Sequence, residues 1–301
     1  MVVPPYIQPG DLIGIVSPSG SFERERLRPG LSYLRNRGFR VRVGSAVYDR
    51  DRYLAGQDLN RAKDLNAMFA DPEVRAVFVT RGGFGAVRVL EFLDYGAIRK
   101  CPKPLVGFSD TTALQLGIYG RTGIVSYSGV TLCGDVTASG MPEATETSLW
   151  NALMWGRFDE MAGVVALRGR VAEGRLVGGC LSVIASLVGT GYLPDTSGAL
   201  LFLEDVNEAP YRVDRMLTQL RMAGVFDRVA GVVFGQFEGC EPEREKEGTV
   251  DDILCDFSMS VAAPVFCGLP YGHAEGRPVL PIGLRATVDG SRGILQIETD
   301  D

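Results

Sequence analysis

The sequence predicts an α/β protein with a doubly wound N-terminal domain and a smaller, strand-rich α/β C-terminal domain. Three observations lead to this prediction. In the first half, short β-branched runs alternate with longer segments of 3.6-residue apolar period. Between about residues 133 and 159 this period weakens. Beyond that stretch, short strand patterns predominate. We therefore divide the chain into domains 1–155 and 156–301.

The first domain shows the β-α alternation of a parallel sheet. Strands are predicted at the apolar runs 12–16, 39–43, 76–80 and 104–108. Helices are predicted at the amphipathic segments 23–37, 60–69, 87–95 and 111–119, with a further one near 148–155. Gly38 directly after the first of these helices is a typical stop signal.

The second domain contains more strand patterns than helix patterns. Its predicted strands are 168–171, 199–203, 229–234, 265–268, 286–288 and 293–297. Two helices are predicted, one after Gly179 and one over 211–223. The uncharged stretch 176–194 contains four glycines and is less apolar than a membrane span, so we interpret it as a buried helix with glycine-marked ends.

Composition narrows the classes of function. The 301 residues carry a formal net charge of -6, so the chain lacks the positive charge that attracts nucleic acid, and we expect no nucleic-acid partner. No secretory signal and no membrane span are evident, so we expect a cytoplasmic protein. The single histidine excludes a multi-histidine metal site, and we expect no metal and no cofactor. The six cysteines contain no C-x-x-C pair and are expected to be reduced thiols. The sequence is compatible with a homodimer.

The first candidate for chemistry is Ser109, which follows a buried strand and precedes a helix. A serine there is held on a rigid scaffold, and the helix N-terminus offers backbone N–H groups to a developing oxyanion. The segment is not a full G-x-S-x-G elbow, because Thr111 stands where the second glycine belongs. Taken alone, it favours a helix cap by Ser109 or Asp110 over a nucleophile.

The second candidate is the glycine-rich segment 81–85, which again lies between a strand and a helix. Three glycines in four positions let the backbone curl around an anion or a carbonyl oxygen. The segment lacks the final glycine of a dinucleotide fingerprint, and the chain contains no Walker motif. It is a candidate for phosphate binding or for an oxyanion-hole N–H, with a plain tight turn as the alternative.

His273 and two neighbouring carboxylates complete the candidates. His273 lies in a proline and glycine turn just after a strand, where an imidazole can face a cleft. Glu204 and Asp205 end an apolar strand, and either can accept the imidazole Nδ1–H. A lone histidine is usually a satisfied surface or core residue, and acids at strand ends are usually solvated, so each signal is weak alone.

Taken in order, five segments resemble the LD-carboxypeptidase family of serine peptidases, which includes microcin-immunity relatives. Their spacing matches that family over nearly the whole chain, and the resemblance reverses the preference for a helix cap at Ser109. The segments are Arg81-Gly82-Gly83-Phe84-Gly85 (similar to R-G-G-Y-G), Gly107-Phe108-Ser109-Asp110 (similar to G-[YF]-S-D), Leu201-Phe202-Leu203-Glu204-Asp205 (similar to L-x-x-E-D), the helix from Tyr211, and Gly272-His273 with Leu280-Pro281-Ile282-Gly283.

The resemblance implies a flavodoxin-like N-terminal domain that carries the nucleophile and a C-terminal domain that carries the other two triad residues. It implies that Ser109 is the nucleophile, His273 the general base and Glu204 the residue that orients the base. We expect the backbone N–H groups of Gly83 and Asp110 to form the oxyanion hole.

The substrate implied by the resemblance is a small murein peptide from which a terminal D-amino acid is released. Its free carboxylate needs a partner, for which Arg81 is the candidate, and Gly82 and Phe84 are also expected to bind substrate. Phe84 stands where the family usually has tyrosine, and Ser128-Gly129-Val130 stands where His-Gly-Pro is common. Both departures affect substrate preference rather than the triad.

Two alternatives stay open at this point. The first is a microcin-immunity peptidase that cleaves an aminoacyl-nucleotide conjugate and uses Trp150 or Trp155 in a purine pocket. Both tryptophans fit helix packing equally well. The second is a nucleotide-binding protein that uses segment 81–85 without catalysis.

Overall fold

The computed structural model describes residues 1–244 and 248–299. It contains two compact units. The first comprises Met1–Gly156 and Val279–Pro281, and the second comprises Arg157–Pro278 and the chain from Ile282 onward. The predicted division between residues 155 and 156 omits the return of the chain to the first unit at 279–281.

The described residues form fourteen strands and eight α-helices. The strands are β1 (Leu12–Val16), β2 (Arg40–Val43), β3 (Val74–Val79), β4 (Leu105–Gly107), β5 (Ser126–Ser128), β6 (Met161–Ala162), β7 (Val165–Arg168), β8 (Val171–Cys180), β9 (Ala199–Val206), β10 (Gly231–Glu238), β11 (Val265–Cys267), β12 (Leu280–Ile282), β13 (Arg285–Asp289) and β14 (Ile294–Ile297). The helices are α1 (Arg28–Asn36), α2 (Asp58–Ala70), α3 (Tyr95–Lys100), α4 (Thr112–Thr122), α5 (Glu143–Trp155), α6 (Leu181–Leu187), α7 (Pro210–Met222) and α8 (Val250–Ser260).

The first unit is built on a parallel sheet. Its strands follow in the order β12-β5-β4-β3-β1-β2. The pairs β1–β2, β1–β3, β3–β4 and β4–β5 are all parallel. All five residues of β1 are buried, as expected of a strand that is covered by helices on both faces. The order β2-β1-β3-β4-β5 is that of flavodoxin-like folds, so the predicted doubly wound α/β class is confirmed.

The helices of the first unit differ from the prediction mainly at their ends. The predicted helix 23–37 begins as a 3-10 turn, Arg24–Leu27, before α1. The predicted helix 87–95 is a 3-10 helix, Ala86–Phe92. Asp94 then starts α3, because its carboxylate accepts the Ala97 N–H at 2.9 Å as an N-cap. The strand β5 was not predicted.

A buried lysine binds the carbonyl groups at the C-terminal end of α2. Lys103 is 3% exposed, and its ammonium donates to the carbonyls of Met68 and Phe69 at 2.8 and 2.9 Å and to that of Asp71. These carbonyls lie at the C-terminus of α2, where the helix has no further N–H groups to offer. A cation is favourable there, because the helix dipole places negative charge at this end.

Replacing Lys103 with methionine should therefore destabilise the first unit by about 2–4 kcal/mol, because three carbonyls lose their charged donor in a buried site. Both tryptophans of the chain lie in this unit, so tryptophan fluorescence during urea unfolding reports on it. Lys63 on α2 is exposed and provides the control substitution Lys63→Met. Equal urea midpoints for the two variants would contradict the assigned role of Lys103.

The second unit is built on a mixed sheet in the order β6-β14-β13-β8-β9-β10-β11-β7. The central strands β8, β9, β10 and β11 are parallel. The flanking pairs β8–β13, β13–β14, β6–β14 and β7–β11 are antiparallel. This unit is strand-rich, as predicted.

The helix predicted after Gly179 is present as α6, Leu181–Leu187, and most of its residues are buried. The first residues of the stretch 176–194 are not helical, because they complete the ten-residue strand β8. Six residues of β8 pair with β9 in a buried part of the sheet, and an apolar run of this kind resembles a buried helix in sequence. Helix α8 was missed altogether, although Thr249 and Asp252 form a capping box at its start.

No helix among the described residues is long and apolar enough to cross a membrane.

Candidate active site

Ser109 lies at the turn between β4 and the helices that follow it. It is the first residue of a 3-10 turn, Ser109–Thr111, which runs directly into α4. Its φ angle is 63°, in the left-handed region that costs an L-residue about 1–2 kcal/mol. Backbone strain of this kind is typical of functional sites, where the surrounding structure forces an unfavourable conformation.

The segment 81–85 lies against Ser109. A methyl group built on Gly82 would lie 2.8 Å from Ser109 Cβ and 2.9 Å from its Oγ, so only glycine fits at this position. The Gly82 carbonyl accepts the Gly20 N–H at 3.2 Å, which attaches the segment to the turn after β1. Gly83 and Phe84 are exposed. The structure thus places the glycine-rich segment beside the candidate nucleophile.

Neither Ser109 nor Asp110 is the N-cap residue of the helical segments that follow β4. The N-cap residues before the 3-10 turn and before α4 make no side-chain capping hydrogen bond. The buried Asp110 carboxylate instead accepts the Ala86 N–H at 2.8 Å. Burial raises the pKa of Asp110, although this hydrogen bond and the nearby Arg61 guanidinium oppose the shift.

Arg81 and Phe84 both lie at the surface of the same segment. Arg81 is half-buried and donates from Nη1 to the Ser21 carbonyl at 2.9 Å. In the part of the chain that the structure describes, it forms no ion pair. The Phe84 ring is 48% exposed and lies 6.0 Å from the ring of Tyr53, which is 55% exposed. Sequence patterns gave no indication of Tyr53, because no local signal connects it with segment 81–85.

His273 and Glu204 form a close pair in the second unit. His273 Nδ1 lies 2.7 Å from Glu204 Oε2. The Glu204 side chain is fully buried, whereas that of His273 is 18% exposed. A carboxylate partner makes Nδ1 the protonated nitrogen of the neutral ring, so Nε2 carries the lone pair. Burial raises the pKa of Glu204, and the hydrogen bond with His273 opposes this shift.

A bulge in β10 brings the histidine turn to Glu204. The β9–β10 register shifts between Phe234 and Phe237, and Gly235 lies within this shift. A methyl group on Gly235 would lie 2.2 Å from the Tyr271 carbonyl, so glycine alone allows the turn to approach. The Gln236 N–H then donates to that carbonyl at 2.8 Å. The buried Tyr271 ring anchors the turn by an edge-to-face contact with a β9 phenylalanine.

The two carboxylates at the end of β9 have different partners, because successive strand residues point to opposite faces. Asp205 accepts the Ser182 N–H at 2.7 Å and the Val206 N–H at 2.9 Å. It therefore fixes the start of α6. Glu204 is the carboxylate that contacts the imidazole.

The two tryptophans lie in different environments, and the described residues contain no candidate metal site. Trp150 is 5% exposed and stacks on Phe39 with 5.0 Å between ring centroids, while its Nε1 donates to Tyr33 Oη at 2.6 Å. It is a core residue. Trp155 is 60% exposed at the end of α5. Among residues 1–244 and 248–299, no group of three or more His, Cys, Asp or Glu side chains could hold a metal ion.

Comparison with known proteins gives matches over most of the chain. Residues 13–129 match the LD-carboxypeptidase N-terminal domain and residues 173–288 match the LD-carboxypeptidase C-terminal domain. The chain is 36% identical over 299 residues to a probable murein peptide carboxypeptidase of Bacillus subtilis, which covers 98% of this chain and 94% of that protein. It is 27% identical to the microcin C7 self-immunity protein of Escherichia coli, covering 93% and 91%.

A solved structure shows the same architecture. The crystal structure of a muramoyltetrapeptide carboxypeptidase from Oxalobacter formigenes is 30% identical and has a TM-score of 0.85, covering 96% of this chain and 99% of that one. The two domain matches and the 36% identity with the Bacillus subtilis relative together identify the family. The chain belongs to the LD-carboxypeptidase family of serine peptidases.

Proposed function

We propose that this chain is a serine carboxypeptidase that hydrolyses the L,D-peptide bond to the terminal D-amino acid of murein tetrapeptides. The observation that carries the proposal is the 2.7 Å contact between His273 and the buried Glu204, because it orients the only imidazole of the chain as a general base. The relatives from Bacillus subtilis and Oxalobacter formigenes, which are named for murein peptides, support the substrate class.

In the proposed mechanism, Ser109 Oγ attacks the carbonyl carbon of the scissile bond while His273 Nε2 takes the hydroxyl proton. The C–N bond then breaks, and His273 returns that proton to the amine of the leaving D-amino acid. In the second half of the reaction, water attacks the acyl carbon while His273 Nε2 takes one of its protons; the bond between that carbon and Ser109 Oγ then breaks, and His273 returns the proton to the serine oxygen. Glu204 stays ionised and accepts the Nδ1–H throughout.

The oxyanion hole is assigned to the backbone N–H groups of Gly83 and Asp110. Within the described residues, the Gly83 N–H donates to no protein acceptor. The Asp110 N–H lies at the start of the helical segment after β4, where backbone dipoles favour negative charge. The loss of one such donor typically lowers kcat by about 10²–10³-fold.

Arg81 is assigned to the terminal carboxylate of the substrate. Its guanidinium folds back towards Gly83, and Nη2 lies 3.8 Å from the position of a methyl group built on that glycine. A carbonyl oxygen is its only hydrogen-bond partner in the described residues, so its positive charge is not neutralised by an acid. A planar guanidinium binds a carboxylate with two parallel hydrogen bonds.

Arg81→Met should therefore lower kcat/KM for a free-acid substrate by about 10–10²-fold, mainly through KM, because a charge-assisted contact is lost. The same variant should have little effect on a substrate whose terminal D-alanine is amidated. Steady-state kinetics with both substrates measures this difference. Arg42, which forms ion pairs with Asp71 and Glu73, provides the control Arg42→Met. Equal losses on the acid and the amide would contradict the assignment.

The function itself is tested by mass spectrometry of a digested murein tetrapeptide. The expected product has lost its terminal D-alanine, and a peptide that ends in L-alanine should remain intact. An unchanged tetrapeptide at an enzyme concentration where a known family member completes the reaction would contradict the proposal.

The microcin-type alternative is tested in the same assay with an aminoacyl sulfamoyl adenosine as the second substrate. Trp150 cannot stack on a purine in this structure because it is buried against Phe39. Trp155 is 60% exposed and stays open to such a contact, so the expectation of a higher kcat/KM for the tetrapeptide rests on the relatives that are named for murein peptides. Membership of a peptidase family argues against the remaining alternative, a nucleotide-binding protein without catalysis.

A further inference from the structure

We infer that Arg61 is a positioning residue that holds segment 81–85 against the nucleophile turn and so sets the geometry of the oxyanion hole. The inference rests on the proposed function, because it assigns a catalytic purpose to the position of this segment. Arg61 belongs to none of the five segments that carry the resemblance to the family.

Arg61 is a fully buried cation in the first turn of α2. Its Nη1 donates to the Gly85 carbonyl at 2.9 Å and also to the Pro18 carbonyl. Its Nε donates to the Gly56 carbonyl at 3.2 Å. One guanidinium thus joins three loops, which follow β1, precede α2 and follow β3.

The Gly85–Ala86 peptide group is held from both sides. Its carbonyl accepts from Arg61, and its N–H donates to the Asp110 carboxylate at 2.8 Å. Asp110 is the residue next to Ser109 in sequence, so this peptide group connects Arg61 to the nucleophile turn. Gly83, whose N–H is assigned to the oxyanion, lies two residues before it.

An ion pair with Asp58 fixes the guanidinium itself. Asp58 accepts from Arg61 Nη2, and its other oxygen accepts from Arg88 Nε and Nη2 at 2.9 and 2.7 Å. Arg88 lies in the 3-10 helix that follows segment 81–85. The C-terminal end of the segment is therefore attached to the start of α2 at two points, through Gly85 and through Arg88.

Lysine cannot replace this arrangement. Arg61 reaches three carbonyls and one carboxylate with donors in a fixed plane, whereas a lysine ammonium is a compact point charge on a flexible stem. Oxyanion donors act only within a few tenths of an ångström of the correct position, and a displacement of about 1 Å can cost about 10²-fold in rate.

The test compares Arg61→Lys and Arg61→Ala with the wild-type enzyme. We expect kcat for D-alanine release to fall by about 10²-fold in both, with KM changed by less than about threefold, because the oxyanion donors stabilise the transition state rather than the bound substrate. The rate at which a fluorophosphonate labels Ser109 should fall in parallel. Guanidinium at millimolar concentration should restore part of kcat in Arg61→Ala, while sodium chloride at equal ionic strength should not.

Lys103→Met is the matched control, because it removes another buried cation that binds three carbonyls at the opposite end of α2. It should lower stability and leave kcat unchanged. If Arg61→Ala does not fold, Asp58→Asn replaces it, with an expected kcat loss of about tenfold.

Two outcomes separate this inference from the proposed function. A folded Arg61→Lys enzyme with wild-type kcat and a wild-type labelling rate would overturn the inference alone. A wild-type enzyme that neither releases D-alanine nor is labelled at Ser109 would overturn the proposed function, and the inference with it.

Discussion

Replacing Ser109 with alanine should abolish the release of the terminal D-amino acid, with kcat reduced by about 10⁶-fold, as for other nucleophiles that act in a triad. The reason is that no other group in the proposed mechanism forms the acyl-enzyme. Stopped assays with a sensitive detection of free D-alanine measure the residual rate. Turnover within about tenfold of wild type would exclude Ser109 as the nucleophile.

The same position allows a matched test of backbone strain. Ser109→Gly also lacks the hydroxyl, but glycine tolerates a φ of 63° without the steric cost of a Cβ atom. The glycine variant should therefore melt about 2–4 °C above the alanine variant, although both are inactive. Arg52, exposed and with a φ of 56°, provides the control Arg52→Gly, which should gain stability and remain active. An alanine variant as stable as the glycine variant would show that the turn is unstrained.

Removing either member of the His273–Glu204 pair should have the second largest effect. His273→Ala loses the base, and Glu204→Gln loses the carboxylate that orients it, so each should lower kcat by about 10⁴-fold or more. In the wild type, kcat/KM should fall as the pH decreases, because protonation of the pair removes the base. Near-wild-type turnover by His273→Ala would refute the triad.

Glu204→Gln should also change the dependence of stability on pH. Burial raises the pKa of Glu204, so above the ordinary carboxyl range the folded state binds more protons than the unfolded state. This contribution to wild-type stability is present below the unfolded pKa and is lost as the pH rises through the folded pKa. Glutamine does not titrate, so the melting temperature of Glu204→Gln relative to wild type should increase as the pH rises above the ordinary glutamate pKa of about 4. A difference that stays constant or decreases would contradict the raised pKa.

Four strands of the first sheet, β1 to β4, could be predicted because each lies in a short segment rich in β-branched or other apolar residues and bounded by turn residues, whereas β5 was missed. Strand β1 lies where its five consecutive apolar or glycine residues indicated. Strand β12 could not be predicted, because it is three residues long and joins a sheet whose other strands end at Ser128. Local patterns carry no signal for such a long-range pairing.

Helix α8 was predictable from signals that were not used. Its apolar Leu254 and Phe257 are buried three residues apart, and Thr249 and Asp252 have the spacing of a capping box. In segment 165–180, by contrast, local patterns gave a single strand where the structure has two. Its two strands are separated by only two residues, and the single predicted strand 168–171 covers the end of one and the beginning of the other.

The residues of the candidate site could be predicted where a side chain with catalytic potential lies at the end of a strand. Ser109 follows β4, and Glu204 lies near the end of β9. Arg61 was not predictable, because with Asp58 it resembles an ordinary surface ion pair on one helix turn. It is buried only because loops distant in sequence close over it. Gly235 was missed for the same reason, since its importance arises from the approach of Tyr271.

Peptide mapping after fluorophosphonate treatment tests the central claim most directly. The wild-type enzyme should carry one adduct, on Ser109, and labelling should stop the release of D-alanine in proportion to its extent. His273→Ala should be labelled far more slowly. An enzyme that remains fully active with Ser109 modified, or that is inactivated by an adduct on a different serine, would contradict the account.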